Sequence, residues 1–211
     1  MFQDSPVFSI LSFGIALYLF YMWFGDYRHF AKKGELRKGA FEGATTAPTK
    51  LIIIAITSAL LLLAIVSVAE NLAGATADQT SVAPFALISW IGAGFVEELI
   101  FRGYLVVKNK GTATLLVSIL FFSLIFAVGH PFLWDYTVED GASVFSGVWK
   151  INPTLQATIA TLSVFCCSLL FYTLRFLPIN KNRSILPCIC AHIAYNCGVF
   201  ATKLAQGYVQ W

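Results

Sequence analysis

Long apolar runs alternate with short polar connections along this chain. Residues 6–24, 51–69, 82–96, 112–129 and 155–174 carry no charge, and 185–202 is interrupted by one ionisable residue, His192. Crossing a bilayer takes roughly 20 residues of helix, so runs this long and pure predict membrane spans rather than buried core helices. The pattern predicts six spans in an all-α polytopic transmembrane helix bundle, with residues 1–211 as a single integral membrane domain. The first run lacks a basic leader and no small-residue cleavage site follows it, so it reads as a retained helix rather than a secretory signal.

The connections differ in character. Residues 25–50 are polar, contain Gly34, Gly39 and Gly43, and predict a loop with a short amphipathic helix over 27–37. Residues 70–81 are short and acidic. Residues 132–152 are longer, and Trp134, Tyr136, Phe145 and Trp149 predict an interfacial aromatic belt, with a substrate-shielding lid as the alternative. The third span, continued to Lys110, is too long for one upright helix. Gly92-Ala93-Gly94 within it predicts a kink or a close helix contact.

Composition agrees: 58% hydrophobic and 12% charged residues exclude an ordinary soluble domain. Charge placement adds orientation. Twelve of the 14 basic residues fall at one end of a six-span topology, and Lys150 and Lys203 at the other, together with Asp4, Glu70, Asp78, Asp135, Glu139 and Asp140. Basic residues favour the cytosolic side, which predicts basic loops inside and both termini outside. Their expected role is orientation and contact with membrane lipids, not nucleic acid. The five cysteines all lie in predicted spans, and an odd buried set is not a disulfide framework.

Against this apolar background a few residues stand out: Glu97, Glu98, Arg102, His130 and His192, with the neutral Asn196. A charge at the bilayer centre costs about 2.5 kcal/mol or more, so such residues have a partner and a task. Glu98 and Arg102 are four apart, the interval of one helix face, and so are His192 and Asn196. Phe126 and His130 share that interval, which lets the ring buttress the imidazole. Pro131 is expected to bend the fourth span at the histidine. Depth strains this picture. At 1.5 Å per residue from the basic end, Glu97 lies about 20 Å up, His130 about 29 Å and His192 about 16 Å. Tilt, unwinding or the Pro131 bend must close that gap.

A carboxylate beside a histidine in a desolvated pocket can deprotonate water for attack on a carbonyl, and a second histidine with an amide can stabilise the oxyanion. Two histidines and a glutamate are also a zinc ligand set with an open position. The helix motif H-E-x-x-H is absent.

Glu97-Glu98-Leu99-Ile100-Phe101-Arg102 reads as E-E-x-x-x-R, residues 126–130 as F-x-x-x-H and residues 192–196 as H-x-x-x-N. In this order the motifs resemble the CAAX-protease and bacteriocin-processing (CPBP, or Abi) intramembrane proteases, which include the type II CAAX prenyl endopeptidases. The resemblance covers about residues 92–196, the expected catalytic core. It implies that Glu97 and His130 activate water, that His192 and Asn196 stabilise the oxyanion, and that Glu98, Arg102 and Phe126 support them. It implies an intramembrane endopeptidase acting on a hydrophobic or membrane-anchored peptide, CAAX-like substrates included, and the compact, short-looped form of the chain points to a prokaryotic cell membrane. The family is often called metalloprotease, so the implied cofactor is either none or a divalent metal such as zinc on Glu97, His130 and His192.

Other readings of the same residues are a non-catalytic immunity or scaffold protein and a proton-coupled transporter, though no inverted repeat supports the latter. Glu98 with Arg102 also reads as interhelical glue. Cys188, four before His192, reads as packing or as a thiol ligand, Arg175 as a snorkelling side chain, and His29 as a solvated or headgroup-facing one.

Overall fold

The apolar runs fold as six helices. In the computed structural model these are α1 (Pro6–Lys33), α2 (Thr49–Leu72), α3 (Ala86–Glu97), α4 (Thr112–Gly129), α5 (Leu155–Phe176) and α6 (Leu186–Ala205). Residues 6–139 and 141–211 are described; Asp4 and Asp140 fall outside them, and so does the side chain of Asp78. Four of the helices (α1 from Ile10, α2, α4 and α5) are long and apolar enough to cross a membrane. The other two, α3 and α6, carry Glu97 and His192.

The bundle is inverted relative to a soluble protein. Tyr21, Leu61, Val68, Val117 and Phe121 point outward, whereas Glu98, Arg102, Ser123, Ser168 and Arg175 are buried. Helix contacts rest on small residues, as expected where lipid removes the hydrophobic drive to associate. Ala55 and Ala59 of α2 share a buried cluster with Ala191 of α6, and a Cβ added to Gly198 would meet Leu63. α6 is the hub. One side joins α2 and α5 in that cluster, and the other packs Ile189 against Trp23 of α1 and Phe95 of α3.

Three local features depart from the sequence expectations. α1 does not stop at residue 24; it runs to Lys33, its ring stack continued from Trp23 and Phe24 to Tyr27. The expected separate helix over 27–37 is therefore this extension, followed by a turn in which Asp26 pairs with Arg37 and accepts from the Phe41 amide. α3 passes without a break into a π-helical segment, Glu98–Tyr104, so the chain unwinds at the carboxylates and not at Gly92 and Gly94. Residues 132–152 hold a hairpin, β1 (Trp134–Thr137) antiparallel to β2 (Val148–Ile151), with Tyr136 opposite Trp149.

The two ends of the bundle are tied by hydrogen bonds. At the basic end, the loop after α1 is pinned to the α5–α6 turn: Thr45 donates to Asn182 O, and the Ile185 amide to Gly43 O. Gly43 has φ 72°, and a Cβ there would lie 2.7 Å from Ile185 Cγ2, so only glycine fits. At the opposite end, Val82 pairs with Val209, and Lys203 donates to Gln79 and to the Thr80 carbonyl.

Candidate active site

Glu97 and Glu98 are adjacent in sequence but differ in environment. Glu98 begins the π-helical segment and is fully buried; Glu97 closes α3 with its side chain 30% exposed. His192 of α6 lies between them, Nδ1 2.8 Å from Glu98 Oε1 and Nε2 3.8 Å from Glu97 Oε2. A carboxylate accepts, so Nδ1 carries the hydrogen and Nε2 is left facing Glu97. Phe171 of α5 stacks on the imidazole, ring centroids 5.1 Å apart, which fixes its plane.

Arg102 supplies the countercharge. Its Nη1 is 3.1 Å from Glu98 Oε1, and both side chains are fully buried. The guanidinium sits among aromatic faces, with Phe126 at 4.6 Å, Tyr172 at 4.9 Å and Phe171 at 5.1 Å. These ring quadrupoles hold a cation whose Nε and Nη1, among the described residues, have no aligned hydrogen bond. Nη2 does have one: it donates to Ser168 Oγ at 2.8 Å, and Ser168 donates to Ser123 Oγ at 2.9 Å.

The π-helical segment is held from α5. Tyr172 Oη lies 2.8 Å from Phe101 O and 2.7 Å from Leu105 O, within donating reach of both. Arg175 Nη1 donates to Gly103 O at 3.1 Å. Wide turns leave carbonyls poorly matched to their own helix, and here a neighbouring helix takes them up. Arg175 thus does not snorkel: it is buried, bound to the Gly103 and Arg183 carbonyls and 3.6 Å from Glu42.

His130 is held differently from the expected bend in a span. α4 ends at Gly129, and His130 is extended, as a residue before proline prefers. Its amide bonds Ala127 O, which orphans Phe126 O, and the imidazole Nδ1 takes that carbonyl at 2.7 Å. A carbonyl only accepts, so Nδ1 is protonated and Nε2 carries the lone pair. The ring is folded back along α4 against Phe126, at 4.8 Å between centroids, and Phe126 also meets His192 edge-on at 6.3 Å. Phe126 thus touches both imidazoles, while among the described residues His130 makes no ion pair with Glu97 or Glu98.

Asn196, one turn beyond His192, donates one amide hydrogen to Trp90 O at 3.0 Å, and among the described residues the second has no acceptor. Gly94 lies under both: a Cβ there would be 3.3 Å from His192 Cδ2 and 3.4 Å from Asn196 Nδ2. The close-contact expectation for the glycine pair therefore holds.

A family model described as type II CAAX prenyl endopeptidase Rce1-like matches residues 79–198, more than half of the chain, with all three motifs inside. The chain belongs to this family. Neither a curated protein nor a solved structure matches it. In this Rce1-like chain α3, α4 and α5 lie within the matched region, which ends inside α6, and α1 and α2 lie outside it.

The metal alternative fares poorly on geometry. Among the described residues, no three His, Cys, Asp or Glu side chains form a cluster able to hold an ion. Glu97 and His192 lie side by side, but His130 does not close round the same point with them as a metal ligand would, and Cys188 donates to Phe171 O instead of facing His192 as a ligand. His29 is half-buried on α1, away from the motifs. Sequence reasoning missed Ser123, Ser168, Phe171 and Tyr172. Serines and aromatics in apolar helices give no signal of their own, since each is common there.

Proposed function

We propose that this protein is an intramembrane endopeptidase that hydrolyses hydrophobic or membrane-anchored peptides, CAAX-like ones among them, with a water activated by Glu97. The observation carrying this reading is the His192 imidazole held between two carboxylates of unequal burial. Glu98, buried and paired with Arg102, orients the ring. Glu97, partly exposed, is the base. Glu97 takes a proton from water as the oxygen attacks the peptide carbonyl, and the bare Nε2 of His130 accepts from that water and orients it. A proton taken up from solvent before the attack sits on His192 Nε2 and makes an imidazolium flanked by carboxylates; it is shared with the oxyanion and stays on the ring through the cycle. That N–H and the second amide hydrogen of Asn196 donate to the oxyanion. Glu97 then returns its proton to the departing amine.

The test is cleavage of a hydrophobic peptide library by the purified protein in detergent, read by mass spectrometry with and without chelator. Cleavage should survive chelation, and Glu97→Ala should lower it by at least about 100-fold. Undiminished cleavage by Glu97→Ala would sink the assignment. An inert wild type that still holds a partner through this pocket would favour the scaffold reading.

Sidedness belongs to the same proposal: basic loops cytosolic, both termini outside, in a prokaryotic cell membrane. Supporting it, the basic segments 34–48, 105–111 and 177–185 meet at one end, where Glu42 contacts Lys108 and Arg175. A membrane-impermeant amine reagent on intact cells should label Lys150 and spare Lys110.

A further inference from the structure

The Glu98–Arg102 pair does not end at the motif. From Arg102 a line of hydroxyls continues through Ser168 of α5 to Ser123 of α4, all of them buried. It links four helices: α6 through His192, the continuation of α3 through Glu98 and Arg102, then α5 and α4. Neither serine lies in a motif, and neither reaches the face of His192 that meets Glu97.

We propose that Ser168 and Ser123 are positioning residues for the reaction, setting the imidazole of His192 by holding Arg102 in one orientation. Little else directs that guanidinium. The rings of Phe126, Phe171 and Tyr172 attract its charge but place few limits on rotation in its plane, since a face has no directional acceptor. Among the described residues Nε and Nη1 have no aligned acceptor. The Nη2 bond to Ser168 is therefore the directional restraint that turns Nη1 towards Glu98 Oε1. Ser168 accepts from Arg102 and passes its own hydrogen to Ser123, so Ser123 fixes which lone pair Ser168 presents. Without this restraint the carboxylate of Glu98 rotates with its partner, and the imidazole loses the set that points Nε2 at Glu97.

This inference rests on the peptidase reading for its kinetic consequence, so its test includes a signal independent of activity. In protein labelled with nitrogen-15 histidine, His192 should show a hydrogen-bonded Nδ1 proton that shifts or broadens in Ser168→Ala, with the His130 signal unmoved. In the cleavage assay Ser168→Ala should lower kcat about tenfold with KM unchanged. Ser168→Thr, which keeps the hydroxyl, should restore both readouts. Ser123→Ala should show a smaller loss of about threefold. Thr173→Ala, on the exposed face of α5, controls for loss of a helix hydroxyl. A folded Ser168→Ala with wild-type kcat and an unchanged His192 signal overturns the proposal. If Ser168→Ala does not fold, Ser123→Ala decides by the same two criteria. If the wild type cleaves nothing, the peptidase reading fails, and the His192 signal still decides whether the serines position the ring.

Discussion

Glu98 and Arg102 illustrate why a buried ion pair is a poor place to remove one partner. Glu98→Gln leaves a guanidinium uncompensated and should destabilise the protein by about 3–5 kcal/mol, whereas the double change Glu98→Gln with Arg102→Met should recover much of that loss. Thermal unfolding in detergent measures both, and additive losses would show that the pair is not coupled. Asn196 tests a different physics. With one amide hydrogen spent on Trp90 O, its second is the donor proposed for the oxyanion, so Asn196→Ala should lower kcat by about 100-fold or more. An effect confined to KM would assign Asn196 to binding.

The elements explain how far the site was legible in the sequence. Glu97, Glu98, Arg102 and His192 were legible because a charged or titratable group in an apolar helix is costly, and i, i+4 spacing tells which of them share a face. The π-helical segment was not, because its cause lies 67–72 residues away in Tyr172 and Arg175. The hairpin was hidden because strands of four residues leave no periodicity to count. The place of His130 depended on a helix end, where a carbonyl orphaned before proline captures the side chain. Close packing of α3 on α6 gives a sharp prediction. Gly94→Ala pushes on His192 and Asn196 by a few tenths of an ångström, so activity should fall while the melting temperature moves little. A large drop in melting temperature with full activity at low temperature would show that the glycine serves packing instead.

At the scale of the molecule, the spans are tied at their ends and the chemistry sits between the ties. Asn180 shows the strength of one tie: its NH2 shares two hydrogens among the carbonyls of Leu174, Arg175 and Ser184, all within donating reach, and its oxygen accepts from the Ser184 amide. Asn180→Ala should cost about 3 kcal/mol of stability and leave cleavage near wild type at low temperature. Loss of activity without loss of stability would instead couple the α5–α6 turn to the site. The hairpin at the other end has an optical consequence. Trp134 donates its indole hydrogen to Val128 O at 2.7 Å, packs on Trp149 at 4.7 Å, and lies four residues from His130. Its emission is thus set by the last turn of α4, so in a variant with Trp23, Trp90 and Trp211 changed to Phe, the colour of the hairpin becomes a built-in gauge of whether His130 has company.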